Sequence, residues 1–346
     1  MVALDVVHAS NARLRELGPG LVALFVGGTS GIGEFTLKAF VKNTISPRVY
    51  LVGRNASAAD RIIEECHGLN KDGKVEFIKA DVSELAEVDR VCKEIQKKEK
   101  AVNLLVQTQG NANLRGRDES PEGLDRKFTL NYYSRTRFIS NLLPLLRTAS
   151  TSPPNFARSV TILSAGSERA INLDDIELKH TFNGMRCANH TTTMNSLMTA
   201  EFAVKEPSIT FSHTFPSVVN TGVARELPWW ARGALKVLTP FFKPFFVGAD
   251  ETGQRQLFHA TSGMYPPLKP AAGSPVAAGI PLPTGTAIAT GSDGKVGSGG
   301  YLVNWNGDIT GKKLVIDYQA EGVSKTIWEH TQGIFERVEK INEARA

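Results

Sequence analysis

The chain predicts an α/β fold: a doubly wound parallel sheet with helices on both faces. Apolar, strand-like runs alternate with amphipathic, helix-like ones through the first two hundred residues, the rhythm of a parallel sheet covered on two sides. The segment VGGTSGIG, Val26 to Gly33, follows the apolar run Leu21–Val26 and opens the amphipathic run Glu34–Val41, which reads as strand, tight turn and helix. A length of 346 residues with 41% hydrophobic content suits one large domain with additions, or two small ones. We divide the chain into an N-terminal helical extension (1–20), a main domain (21–262) and a closing part of that same domain (263–346).

In order, the extension MVALDVVHASNARLRELGPG predicts a short helix laid against the domain. Arg48–Gly53 (RVYLVG) is a buried strand by its β-branched and aromatic content. A helix is expected over Ala58–Leu69, a third strand over Val75–Ala80 and a fourth over Asn103–Gln107. The loop Thr108–Glu119 leads to a long helix from Pro121 to about Arg147 that carries Asn131. Ser159–Leu163 makes a fifth strand and delivers Ser164 at its C-terminal end. Ala249–Ala260 is a helix, and the Pro/Gly/Ala/Ser-rich stretch Ser262–Gly300 is a surface excursion. Tyr301–Asn304 is a last strand, and Glu321–Glu343 closes as a docked helix with Val323, Ile327, Ile334, Val338 and Ile341 at helical spacing.

Composition excludes several classes. The 40 basic and 35 acidic residues give a net charge of +5 without a basic block, which argues against nucleic acid. Cys66, Cys92 and Cys187 are an odd set without metal-ligand spacing, so no metal is expected and a reduced, cytoplasmic setting is. Asp5 interrupts the first apolar patch, leaving no signal-peptide core.

The glycine turn has a physical task. Gly27 permits the reversal, Gly31 lets a pyrophosphate approach the backbone, and Gly33 lets helix and strand pack closely. The helix N-terminus adds free N–H groups and partial positive charge. At the end of the next strand, where a carboxylate would receive the ribose 2′-hydroxyl of NAD, stand Gly53, Arg54 and Asn55. Arg54 can pair with a 2′-phosphate, so NADP(H) is favoured over NAD(H). Asp81 either accepts from an adenine amino group or caps the segment starting at Ser83.

These stations, with Asp81–Val82, Asn131, Ser164 and FPSVVNTG (Phe215–Gly222), resemble the short-chain dehydrogenases/reductases over roughly residues 20–260, a Rossmann-type fold. GRDESPEGLD and YYSRTRFISNLLPLL resemble a fungal branch associated with secondary-metabolite pathways. The resemblance implies a cofactor set of Gly27, Thr29, Ser30, Gly31, Ile32, Gly33, Arg54, Asp81, Val82, Gly110, Pro216, Val218 and Thr221. It also implies that Asp81 contacts adenine, that Asn131 belongs to the active-site scaffold, and that Thr221 meets the carboxamide or the phosphates.

The departures from the pattern are specific. The family's chemistry needs a tyrosine and a lysine four residues apart on a helix, and those positions fall here on Ala188 and Thr192. No tyrosine stands between Tyr133 and Tyr265, and no lysine between Lys179 and Lys205. Tyr265 and Lys269 have the spacing, but Pro266 and Pro267 exclude a helix between them. The fourth-strand loop reads Gln107, Thr108, Gln109, Gly110, and the usual Pro-Gly reads Pro216, Ser217. Candidate catalytic residues are then Ser164, Asn131, Thr192 and His190. His190 lies about 200° around the helix from Ala188, so a packing role is its alternative. Cys187 is expected to be a small core residue, and Tyr133 and His213 stand outside the set.

Glu226–Gly248 occupies the place of the family's substrate-covering segment. Trp229, Trp230, Phe241 and Phe245 can line a pocket for an apolar small molecule. The same faces can instead pack the lid, form a homo-oligomer interface or touch a membrane interface through 226–248. The segment does not span a bilayer. The leading functional expectation is an atypical NADP(H)-dependent oxidoreductase. The rivals are a non-redox cyclase or isomerase with the nucleotide in a structural role, and a silent NADP(H)-sensing protein.

Overall fold

The computed structural model describes residues 1–111, 116–217, 247–283 and 285–345. Seven parallel strands form one sheet in the order β3-β2-β1-β4-β5-β6-β7. They are β1 Val22–Val26, β2 Arg48–Gly53, β3 Lys74–Lys79, β4 Leu104–Gln107, β5 Arg158–Ile162, β6 Thr210–Thr214 and β7 Gly300–Val303. The order reverses between β1 and β4, and Val26 lies level with Gln107 in the sheet. That reversal opens a crevice at the carboxyl ends of the strands, the place where doubly wound sheets take ligands.

Alternation along β1 shows how both faces are covered. Val22, Leu24 and Val26 join one core, and Ala23 and Phe25 join the other. The first core lies under α4 (Leu85–Lys98), α5 (Ser134–Thr151), α6 (Gly184–Lys205) and, further along, α9 (Val323–Glu343). The second lies under α2 (Gly31–Asn43), α3 (Ala56–Leu69) and α7 (Ala249–Thr261), and α1 (Leu4–Ala12) packs onto α7. A helix α8 (Lys313–Ala320) precedes α9 and was not expected. Along α9, Val323, Ile327, Ile334 and Val338 are buried, whereas Ile341 is only half-buried. Among the described residues no helix is long and apolar enough to cross a membrane.

Two expectations need correction. The long helix does not begin at Pro121. Asp125 caps a first turn Arg126–Phe128 by accepting from Phe128 N, a π-helical turn Thr129–Tyr133 follows, and α5 then runs to Thr151. The segment starting at Ser83 is capped by Asp81, one of the two alternatives expected for that residue. Asp81 Oδ1 accepts from Ser83 N at 3.1 Å, while the carboxylate of Glu122 receives Leu85 N and Ala86 N at 2.7 and 2.8 Å. The stretch 262–300 is not a surface excursion throughout, because Tyr265, Ala277 and Ile280 are buried. Gly263 N donates to Ile280 O, and Ile280 N to Thr261 O.

Candidate active site

The turn after β1 is shaped by close backbone contact. Gly27 has φ +83°, and a Cβ there would lie 2.6 Å from Gln109 N. A Cβ on Gly33 would meet Thr108 Oγ1 at 2.5 Å and Gly28 Cα at 2.8 Å, so α2 seats directly on the ends of β1 and β4. Gly31 has φ +58°, Thr29 packs against Gly53, and Ile32 is half-buried. Ser30 stands at the head of α2 and makes no side-chain cap, so its hydroxyl does not take up the helix's first N–H groups, which suit an anion. At the end of β2, Arg54 is 67% exposed and its Nη1 lies 3.9 Å from Asp81 Oδ2, and Val82 is buried.

Ser164 stands two residues past the end of β5, and its Oγ is 3.0 Å from Thr192 Oγ1 on α6. Its main-chain N–H donates to His213 Nε2 at 3.2 Å. Nε2 is thereby an acceptor, so His213 carries its proton on Nδ1 and donates it to Ser196 Oγ at 2.9 Å. Ser196 in turn donates to Glu168 Oε1 at 2.7 Å. Burial, reinforced by the Arg135 charge, pushes the imidazole of His213 down to about 3, so it is neutral at physiological pH.

Asn131 lies in the π-helical turn, and its carbonyl accepts from Asn195 Nδ2 at 2.8 Å. Its side-chain Oδ1 is buried without a hydrogen-bond partner among the described residues, and a Cβ on Gly110 would sit 2.8 Å from it. The structure therefore brings Ser164 and Thr192 together, and sets Gly110 beside Asn131. His190 makes its hydrogen bonds elsewhere: Nε2 accepts from Asn172 N at 3.0 Å and Nδ1 faces Ile176 O at 3.4 Å. Burial lowers its pKa. Both ring nitrogens are thus engaged by the main chain of residues 172–176, a packing arrangement.

Cys187 is fully buried, and burial pushes its thiol up to about 12. Tyr133 donates to or accepts from His330 Nε2 at 2.9 Å, and the Tyr265 hydroxyl donates to Gly307 O at 2.9 Å. Pro216 is buried, and Ser217 holds φ +69° where a glycine would be unstrained. Val218, Thr221, Trp229, Trp230, Phe241 and Phe245 lie outside the described residues. No group of three or more His, Cys, Asp or Glu able to hold a metal ion occurs among the described residues.

Sequence reasoning missed His213, Ser196, Glu168, Asn195 and Arg135. Only Arg135 left a signal, as a cation four residues past Asn131 in a helix otherwise apolar on that side. The others meet through the fold, and no spacing links positions 168, 196 and 213.

A seven-stranded parallel sheet with a glycine turn at its reversal and a serine past β5 defines a nucleotide-binding α/β enzyme class, and sequence comparison makes the class specific. The profile of the short chain dehydrogenase family matches residues 21–155. "Oxidoreductase AN1596" of Emericella nidulans is 40% identical over 340 residues, 97% of this chain and 99% of that protein. "Short-chain dehydrogenase/reductase SAT2" of Stachybotrys chartarum is 31% identical over 284 residues, 76% of this chain and 78% of its own. The chain belongs to the short-chain dehydrogenase/reductase family. Its fold is that of the Pseudomonas aeruginosa RhlG/NADP active-site complex, with a TM-score of 0.53 at 22% identity over 78% of this chain and 96% of that one.

Proposed function

We propose that the protein is an NADP(H)-dependent oxidoreductase acting on a carbonyl or alcohol of an apolar, secondary-metabolite-like small molecule, with an atypical active site. The observation that carries this reading is the Ser164–Thr192 hydroxyl pair, held past the carboxyl end of β5 on the same edge of the sheet as the glycine turn. A dinucleotide fits the residues present: the tight turn at Gly27 and Gly33 brings the head of α2 to the strand ends, and the uncapped N-terminus of α2 and the orphaned Asn131 Oδ1 beside Gly110 are features a ligand would complete. In this reading Gly27, Thr29, Ser30, Gly31, Ile32 and Gly33 hold the pyrophosphate, Arg54 the 2′-phosphate, and Asp81 and Val82 the adenine. Gly110 and Pro216, with Val218 and Thr221, border the nicotinamide end. When bound, the group supplies or accepts a hydride.

The chain's own residues hold the reacting oxygen. Ser164 and Thr192 can each donate or accept, so one hydroxyl can donate to a substrate oxygen while accepting from the other. Ala188 and Thr192 provide neither a phenol nor an ammonium, so the proton comes from water or from the substrate. An intracellular, cytoplasmic setting agrees with three buried free cysteines. The aromatic segment 226–248 supports an apolar substrate.

Supplying NADPH deuterated at the transferable position with candidate ketones tests the reaction. Label in the alcohol product is expected; unlabelled product indicates a rearrangement and sinks the redox reading. Ser164→Ala should lower turnover at least about tenfold, and full activity in that variant would remove Ser164 from the site. Cofactor choice is tested separately. NADPH should bind at least about tenfold more tightly than NADH, and Arg54→Ala should erase the difference. Equal affinities in the unaltered protein would refute the assignment.

One observation favours a second reading, in which the nucleotide is bound without turnover. Asn195 Nδ2 occupies the Asn131 carbonyl, and both its amide hydrogens are used, the second by Thr191 O at 2.7 Å. Tight NADPH binding with no product from any substrate supports this sensor.

A further inference from the structure

Arg135 is sealed inside the protein at 1% exposure. Its N–H groups go to main-chain carbonyls: Nε to Leu130 O at 3.3 Å, Nη1 to Gln107 O at 3.1 Å and Ile162 O at 3.0 Å, and Nη2 to Gln109 O. Among the described residues none of these partners is a carboxylate. A buried cation without a counter-ion is costly, and this one is held at the carboxyl ends of β4 and β5 by carbonyl dipoles alone.

Its surroundings are incomplete in a consistent way. Gln107 Nε2, Gln109 Oε1 and Asn131 Oδ1 are all buried without partners among the described residues. A Cβ on Gly110 would lie 3.7 Å from Arg135 Nη2 as well as against Asn131 Oδ1, and Gly110 itself opens to solvent. Ile162, whose carbonyl Arg135 holds, is two residues before Ser164. The buried carboxylate of Glu168 is not among the hydrogen-bond partners of Arg135: its Oε1 is taken by Gly166 N at 2.9 Å and by Ser196, and its Oε2 has no partner among the described residues.

We propose that Arg135 makes the candidate site discriminate between the two redox states of the dinucleotide, holding NADPH more tightly than NADP+. This rests on the NADP(H)-binding reading above. The two forms share every phosphate, ribose and adenine atom and differ in the nicotinamide ring, neutral when reduced and cationic when oxidised. A fixed guanidinium in a low-dielectric pocket opposes a second cation. The same charge favours negative charge building on an oxygen held by Ser164 and Thr192, so the site is biased toward carbonyl reduction.

The test is equilibrium titration of the full chain with NADPH and with NADP+ at pH 7. The unaltered protein should bind NADPH about tenfold more tightly, the scale of one buried charge acting on another across a protein-lined site. Arg135→Met should bring the two affinities to within about twofold, and Arg135→Lys should keep the preference. Should Arg135→Met fail to fold, Arg135→Gln supplies the neutral side chain with hydrogen-bonding capacity. Equal affinities in the unaltered protein, or an undiminished preference in a folded neutral variant, would overturn the proposal. Failure of both nucleotides to bind the unaltered protein would overturn the NADP(H) reading itself.

Discussion

Acidification from pH 7.5 to 5.5 is expected to cost the protein about 4 kcal/mol of stability, well before its carboxylates titrate. Three histidines carry most of it. Burial pushes His213 and His259 down to about 3 and His330 down to about 4, against a usual value of 6.5. The folded state therefore binds these protons more weakly than the unfolded chain does. Below pH 6.5 the unfolded chain takes up protons that the native state refuses, so stability falls as pH falls. The loss deepens until pH reaches the folded-state values near 3 to 4. One unit below the unfolded value each histidine contributes about 1.4 kcal/mol, and three together remove a large share of a typical 5–15 kcal/mol. Urea unfolding monitored by circular dichroism at half-unit pH steps measures this directly. A midpoint that stays flat between pH 7.5 and 5.5 would show that these imidazoles are protonated in the native state.

Gly27→Ala should destabilise the fold by about 3 kcal/mol and weaken dinucleotide binding by at least about a hundredfold. The positive φ of +83° already strains any side chain there. The added methyl would also sit 2.6 Å from Gln109 N and 2.9 Å from both Gln109 Cα and Thr108 C. Those atoms are backbone, so relief requires moving the β1–α2 turn away from the end of β4, and that movement displaces the N–H groups offered to a phosphate. Gly333→Ala is the matched control. On α9 a Cβ at that position meets nothing within 4 Å, and alanine should be neutral or stabilising by up to about 1 kcal/mol. Thermal melts with and without NADPH separate the two effects. A Gly27→Ala protein that melts and binds like the parent would refute the steric reading of the turn.

Much of the sheet was legible because its signal is local. The β-branched run Arg48–Gly53 became β2 with those same bounds, and β1, β3, β4 and β5 fell within one residue of expectation. Where the signal is not local, expectation failed. The π-helical turn at Asn131 depends on partners across the fold, among them Asn195, and periodicity treats it as ordinary helix. The stretch 262–300 reads as loop from its proline and glycine content, yet Tyr265 and Ile280 are carried inward by hydrogen bonds to α7 and to residue 307. Ser164 and Thr192 were each singled out from the family pattern, whereas their contact and the inner relay through His213 needed coordinates. A histidine inside a strand has no periodic partner in the sequence to reveal its task.

The position of α9 bears on the order in which the molecule is completed. Tyr132 meets Thr331 across a separation of 199 residues, Tyr133 meets His330 across 197, and Arg137 meets Glu339 across 202. One core face, built by α4, α5 and α6, is thus closed by an element made long after them. During synthesis that face must wait, apolar and uncovered, until residues 323–343 emerge. The interval is when the nascent chain is most exposed to misassociation, and slow translation of the stretch between β6 and α9 would lengthen it.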